Sequence, residues 1–451
     1  MKNLALDNTL SPRKYLFLIT WPIFIEVFLQ MLMNLTDVFM ISFISDEAVA
    51  AIGVVNQLMH FTFVLFNFTA MGSGVVVSQY VGANNPKGIR KTITHALILN
   101  LIFGLVISLF VGLNRHFLLN LFSLEPSLYA YAESYTLIVG LALFAQAMIL
   151  TVSSILQAMG FTKDVMVTVL LMNVLNVIGN YVFIFGAGFI PQLGVPGVAI
   201  ATAGSRIVIM LWLFIVLFKR IDIKMKWRDF FNLEKEYASK ILGIGIPSAG
   251  EQMSYNLSQI IVTMMITTLG ATALATRVYS QNLMSVLTII AVSMSKGMQI
   301  FIGQLIGAKK QDTAYDSMFM GLKYSTIMTI AIAALITLFR KQIFSIFTDD
   351  PGIIALGAVI IIIEFILQPA RTGNMVIISA LRAAGDAVFP VKVGIVIMWG
   401  VMLPLAYLLG IYLGLGLPGI WIALMVDEWV RSIIMYSRWK NKRWQGKVLA
   451  N

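Results

Sequence analysis

Twelve apolar runs, each long enough to cross a bilayer, fill most of this sequence and leave only short hydrophilic breaks between them. A span needs about 20 apolar residues. Runs of that kind lie near residues 15–43, 48–80, 93–113, 128–158, 165–186 and 197–218, and again near 241–268, 272–305, 320–339, 353–382, 388–411 and 417–437. In hydrocarbon every backbone N–H and C=O must be satisfied within the protein, so such runs are read as helices. The chain is 59% hydrophobic and 12% charged, where a soluble protein would be about a quarter charged. The predicted fold class is an all-α polytopic membrane protein with twelve transmembrane helices. Cysteine is absent, which excludes disulfides, thiolate metal sites and a cysteine nucleophile.

The opening residues, "MKNLALDNTLSPRKYLFLIT", show no small-residue cleavage site after a short apolar core. They are read as a cytoplasmic tail entering the first span. The net charge of +11 invites a nucleic-acid partner, but the placement of the charges argues against one. Basic residues fall in alternate breaks: Lys2, Arg13 and Lys14; Lys87, Arg90 and Lys91; residues 219–240; Lys309 and Lys310; and "RWKNKRWQGK" near the end. The breaks between them hold little beyond Arg115, Arg340 and Lys341. That alternation is the positive-inside pattern. It predicts a multi-pass protein of the cell membrane with both termini and the central loop cytoplasmic.

Two sets of six runs flank that basic loop, and they are related in sequence. A shift of 225 residues pairs Pro22 with Pro247, Glu26 with Glu251, Gly72 with Gly297, Gln79 with Gln304 and Gly82 with Gly307. The same shift pairs Arg115 with Arg340, Pro126 with Pro351 and Gly160 with Gly385. After a three-residue slip, "LGVPGVAIA" at 193–201 matches "LGLPGIWIA" at 415–423. Six spans per half means both halves enter the membrane from the same side, as a parallel repeat. The expected domains are a first lobe over 1–222 and a second over 223–451, the basic linker leading the second. Such halves usually enclose a cavity and rock around it.

Several stretches together resemble one family. "WPIFIEVFLQMLMNLTDVFMIS", "SDEAVAAIGVVNQL", "GSGVVVSQYVGANN" and its echo "GMQIFIGQLIGAKK" are similar to the multidrug and toxic compound extrusion (MATE) family. So are "ILQAMGFTKD", "NYVFIFGAG", "GVPGVAIAT" and "ALRAAGDAVFP", in the family's order over nearly the whole chain. The resemblance implies two six-helix lobes, alternating access, and export of amphipathic, usually cationic compounds driven by proton or sodium entry. Two positions depart from the family's branches. Arg371 stands where the sodium-coupled NorM-like branch carries an acid, and Asn180 where the archaeal and DinF-like branch carries an Asp.

Polar residues inside the runs are the site candidates. Glu26, Gln30, Asn34 and Asp37 are spaced four, four and three apart, on one face of the first helix. A carboxylate at bilayer depth is costly, by roughly 3 kcal/mol on insertion scales, so Asp37 is expected to face the bundle interior or a cavity. Burial favours the neutral form of a carboxyl group, which lets proton binding couple to a gradient; the alternative is a structural Asp held by neighbouring amides and hydroxyls. Asn173, Asn176 and Asn180, again at helical spacing, are expected to reach Asp37 together with Tyr181, or else merely to hold helices together. Glu26 and Glu251 each follow a proline by four residues, a spacing that suits a carboxylate serving a kinked backbone. Glu251 also matches the family's second-lobe acid, with Arg277, Lys296 and Arg371 as candidates to neutralise it and Glu364 as a rival for them. Met33, Asn34, Asn56, Phe63, Asn67, Gln157, Tyr255, Gln281 and Met284 are candidates to line a substrate cavity, against ordinary packing.

No phosphate-binding loop, metal-ligand spacing or catalytic triad is present in the sequence, so neither an enzyme nor a metal site is expected. No cofactor is expected: a proton gradient would supply the energy, sodium being disfavoured by Arg371. The partners expected are small amphipathic organic molecules and the bilayer, with the protein acting as a monomer. A second reading is a flippase for a lipid-linked sugar or cell-wall precursor, which would want cavity Lys and Arg for phosphates.

Overall fold

The structure, a computed structural model, describes residues 11–187, 191–221 and 233–450. Helices make up nearly all of it. The first half runs through α1 (Pro12–Ser42), α2 (Asp46–Gly82), α3 (Pro86–Leu113), the short α4 (Arg115–Asn120), α5 (Pro126–Leu141), α6 (Leu143–Ala158), α7 (Thr162–Phe185) and α8 (Gly194–Arg220). The second runs through α9 (Lys235–Thr267), α10 (Ala271–Gly307), α11 (Gln311–Leu338), the short α12 (Arg340–Phe347), α13 (Pro351–Ala383), α14 (Val388–Tyr412) and α15 (Gly416–Lys440). Nine of the described helices are long and apolar enough to cross a membrane, and α5 with α6 makes a tenth span bent by 48°. The sequence predicts one unbroken run there. The long helices α9 and α15, which carry more charged residues, complete the twelve expected.

Helix boundaries follow the repeat closely. The limits of α2 and α3, moved by 225 residues, are those of α10 and α11. Residues Asn84 and Lys309, one shift apart, both turn with positive φ, 51° and 60°. Gly160 and Gly385 do so at 92° and 89°, a conformation that glycine adopts without strain. Arg115 donates to the carbonyl of Gly112 at 3.3 Å, and Arg340 to that of Thr337 at 2.9 Å, each capping the end of the helix before it.

The compact units do not change over at 222/223, a boundary outside the described residues, but at two equivalent prolines. Among the described residues, the first unit spans 21–246; the second spans 247–450 and also 11–20. Pro22 and Pro247 lie inside α1 and α9, where each removes a backbone donor. Within the first unit the opening turns of α9 lie backbone to backbone on α2. A Cβ added to Gly72 would sit 2.2 Å from the Ile241 carbonyl oxygen, and one on Gly245 would sit 2.2 Å from that of Phe68. Within the second unit, the start of α1 packs on α10: the Tyr15 hydroxyl donates to Gln304 at 2.6 Å, and a Cβ on Gly297 would meet the Thr20 hydroxyl at 2.2 Å. A division read from the basic loop therefore misses the two exchanged segments.

This close approach makes a stability prediction. Gly245→Ala should lower the melting temperature of the detergent-solubilised protein by the equivalent of about 1–3 kcal/mol, because backbone atoms cannot yield as side chains can. Gly243→Ala, with nothing within 4 Å of the added methyl, should melt like the wild type. Equal melting of the two variants would refute the packing described.

Candidate functional site

Asp37 sits in the first unit, on the last third of α1. Asn180 on α7 donates from Nδ2 to Asp37 Oδ1 at 3.0 Å and to Asn176 Oδ1 at 3.1 Å. Asn176, one turn away, donates to the Thr202 hydroxyl on α8 at 3.3 Å, and Thr202 is hydrogen-bonded to Tyr135 on α5. Asn176, Asn180, Thr202 and Tyr135 are all buried. One hydrogen-bonded chain thus links four helices and ends on a carboxylate. Its four-residue asparagine spacing on α7 is what aims both amides the same way.

Of the residues expected to reach Asp37, Asn180 does so directly and Asn176 through it. Asn173 instead donates to the Leu29 carbonyl at 2.8 Å. Tyr181 is 58% exposed and lies against Phe185, with ring centroids 5.1 Å apart.

The polar stripe on α1 splits into separate roles. Glu26 is buried and accepts from Gln157 at 2.5 Å and from Gln30 at 3.4 Å. Gln157, a cavity candidate by sequence, is thereby engaged with Glu26 in the interior. Met284 is likewise packed in the core of the second unit, its sulfur 3.6 Å from Gln368 Nε2. Asn34, Asn56, Asn67, Tyr255 and Gln281 are exposed, and Met33 and Phe63 half-buried.

Sequence reasoning missed Arg206. It lies one turn beyond Thr202 on α8, with its guanidinium carbon 5.4 Å from the centroid of the Phe63 ring and within electrostatic reach of Asp37 and Tyr135. It is the single basic residue in the apolar run "VAIATAGSRIVIMLWLFIVLF", and the rule that singled out Asp37 applies to it equally.

In the second unit, charge pairing differs from expectation. Glu251 is neutralised by Arg382, Nη2 to Oε2 at 2.6 Å, and not by Arg277, Lys296 or Arg371. Arg277 donates to Thr263 and approaches Gln259 on α9, 3.4 Å from its side-chain oxygen. Arg371 bridges two acids, reaching Glu364 at 3.2 Å and Glu428 at 3.5 Å. Glu364 also accepts from Gln368 at 2.9 Å and from the Trp421 indole at 3.0 Å. Glu428 accepts from Asn374 at 2.8 Å and lies 3.4 Å from Arg431, which also pairs with Asp427. The heptad-like spacing of Glu364, Gln368 and Arg371 on α13 stacks them on one face towards α15. Among the described residues no group of three His, Asp or Glu side chains is placed to hold a metal ion.

With this geometry in view, comparison with known proteins is informative. The MatE family model matches residues 22–182 and 247–408, once in each half. An uncharacterized transporter of Bacillus subtilis, YisQ, is 43% identical over 449 residues, covering 100% of this chain and 99% of that protein. The probable multidrug resistance protein NorM of Thermotoga maritima is 26% identical, over 97% of this chain and 94% of its own. Among solved structures, a MATE protein in its bent conformation superposes with a TM-score of 0.89 at 22% identity, covering 98% of this chain and 97% of that one. An outward-facing multidrug resistance MATE transporter of the MOP superfamily gives 0.87 at 22% identity, over 96% of each chain.

The Glu251–Arg382 pair carries a prediction of its own. Arg382→Ala would strand a buried carboxylate, at about 3–5 kcal/mol, and should sharply lower the melting temperature. Glu251→Gln combined with Arg382→Met should recover most of the loss. A single mutant as stable as the wild type would show that the pair does not hold the helices.

Proposed function

The chain belongs to the MatE family, and from that premise we propose that it is a secondary active multidrug exporter, moving amphipathic, usually cationic compounds out in exchange for protons by alternating access. It is proposed to act as a monomer in the cell membrane with both termini cytoplasmic. The observation that carries the reading is the bonding of Asp37. One carboxylate oxygen accepts from Asn180, and the neighbouring groups in that chain are neutral amides and hydroxyls. The Asn180 side-chain oxygen is buried and without a partner.

A proton on Asp37 changes the demands on this chain. One carboxyl oxygen turns from acceptor to donor, and the unpartnered oxygen of the same Asn180 amide is an acceptor for it. An Asn180 amide that rotates to take the proton gives up its bond to Asn176, which disturbs Thr202 and Tyr135 in turn. Protonation therefore favours one arrangement of α1, α5, α7 and α8, and its loss the other, which is what coupling requires. A cationic substrate and a proton compete for the same negative charge.

Proton rather than sodium coupling is supported by the second unit. Its acids are matched to guanidiniums: Glu251 to Arg382, Glu364 and Glu428 to Arg371. A guanidinium a few ångströms from a carboxylate repels a sodium ion that would bind there. The multidrug character is supported by relatives such as the Thermotoga maritima protein named for multidrug resistance.

Asp37→Asn should reach the membrane at normal levels yet fail to export, so that cells expressing it accumulate ethidium as empty cells do. Asn180→Ala should lose less, since it removes a hydrogen bond and keeps the charge. Normal ethidium efflux by Asp37→Asn would end the assignment. In proteoliposomes a pH gradient without sodium should drive uptake of the dye; uptake driven by a sodium gradient at symmetric pH would overturn proton coupling.

A further inference from the structure

In the second unit, α11, α13 and α15 enclose a groove of about 610 Å³, a volume in the range of small-ligand sites. Of its twelve lining residues only Lys323 is charged, and the walls are apolar side chains such as Ile327, Trp429 and Ile433. Its floor is α13, where the ring of Pro369 and the missing side chain of Gly373, one turn on, withdraw bulk from the helix. A Cβ on Gly373 would sit 2.8 Å from the Ser432 hydroxyl, so α13 and α15 stand close at that level. Beside the proline, the Trp429 indole donates to the Ile366 carbonyl at 3.1 Å and so ties one wall to the floor. Ile327, Trp429, Ile433 and Tyr436 are exposed, so the groove is open to the surroundings of the helices and not sealed in the core.

The internal repeat shows that the fold does not require this groove. Under the shift of 225 residues, Lys323 corresponds to Ile98, Pro369 to Phe144 and Gly373 to Met148. The first half thus places a bulky apolar side chain at each position where the second places a cation, a proline or a glycine. Lys323 is exposed and forms no ion pair with any described residue. An ammonium group on a membrane-spanning helix is costly unless it reaches water or an anion. Its Cα–Cβ bond leans back towards the start of α11, which Lys309 and Lys310 precede. The adjoining Tyr324 ring carries the Arg13 guanidinium 5.8 Å from its centroid, which puts this level of α11 beside the first turn of α1. Tyr436, whose ring meets Phe319 at 5.6 Å, lines the same end of the groove, and tyrosines of this kind gather at headgroup level. The Ser432 and Tyr436 hydroxyls are not hydrogen-bonded to any described residue. A cation with free hydroxyls near it, at the head of an apolar trough, is complementary to a phosphate ester that carries a hydrocarbon chain.

We propose that this groove binds an anionic glycerophospholipid, its phosphate on Lys323 and one acyl chain along Ile327, Trp429 and Ile433. A zwitterionic phospholipid brings its own ammonium group and gains less from Lys323, and the same charge repels an amphipathic cation. The site is distinct from the chain that starts at Asp37, and it does not rest on the exporter reading.

The test places the full-length protein in phosphatidylcholine vesicles and follows quenching of tryptophan emission by dibrominated acyl chains. A minor fraction of dibromo-phosphatidylglycerol is compared with the same fraction of dibromo-phosphatidylcholine. Each is measured in the wild type and in Trp429→Phe, so that the difference reports on the groove. Quenching of Trp429 should need about fivefold less of the anionic lipid, the preference that one basic residue gives near a membrane surface. Lys323→Gln should bring that ratio to unity, and Lys323→Arg should keep it. Equal quenching by the two lipids in the wild type, or none by either, would overturn the site. A preference that survives Lys323→Gln would overturn the assignment to Lys323. Glycerophosphoglycerol, the headgroup without its chains, should not relieve the quenching; relief would mean that the phosphate binds without the groove. Relief by tetraphenylphosphonium would make the groove a path for cations and overturn the lipid as its occupant.

Discussion

Glu364, Asp427 and Arg431 are buried in the second unit, with Glu428 and Arg371 mostly covered beside them, so these charges have little water to screen them. Each must find its partner within the protein. Arg371 does so twice, spanning from an acid on its own helix to one on α15. Such an arrangement fixes α13 and α15 in register, because sliding either helix by a turn would leave several charges uncompensated together. A buried network of this kind is poor evidence of added stability compared with an apolar core. Its clear effect is on specificity: one alignment of the helices satisfies it.

The first unit is assembled on the same backbone plan with different chemistry. Long helices end at equivalent residues, and arginines cap equivalent helix ends in the two halves. Yet Asp37 corresponds under the repeat to Val262, and Asn176 and Asn180 to Val401 and Leu405. Glycine and proline positions preserve the shape, while interior polar residues have diverged. The chain of amides and hydroxyls from Asp37 to Tyr135 carries one charge, whereas the second unit neutralises its acids with fixed cations. Amides can exchange donor and acceptor by rotating; guanidiniums can only donate.

Much of this was legible in the sequence because the period and spacing of residues are themselves physical constraints. Apolar runs had to be helices, and Pro, Gly and Arg recurring at a fixed shift had to reflect a repeat. The link from Asp37 to Asn180 followed from helical spacing plus the expense of an isolated carboxylate. What spacing along one helix cannot supply is the choice among partners on other helices. Glu251 had several guanidiniums in reach on paper, and the one it uses, Arg382, sits at the end of α13 where the helix returns towards α9. Gln157 was indistinguishable from a cavity residue until α6 was seen to bring it onto Glu26. The exchange of segments at Pro22 and Pro247 was hidden for a related reason. The basic loop marks where the chain pauses, while compactness is decided by Gly72 and Gly245 letting backbones meet.

Incomplete bonding is where function is best sought in a molecule that otherwise satisfies its buried charges. Glu251 is held by Arg382 at 2.6 Å, so its charge has a fixed partner. Asp37 is in the opposite position. It accepts a hydrogen bond from Asn180, an amide whose own oxygen is unused, and a cation lies within electrostatic reach. A carboxylate so placed has more than one arrangement open to it, and a two-state cycle needs a group of that kind. The network that holds the second unit in register therefore supplies rigidity, and in the proposed cycle the partly bonded chain in the first unit supplies the response.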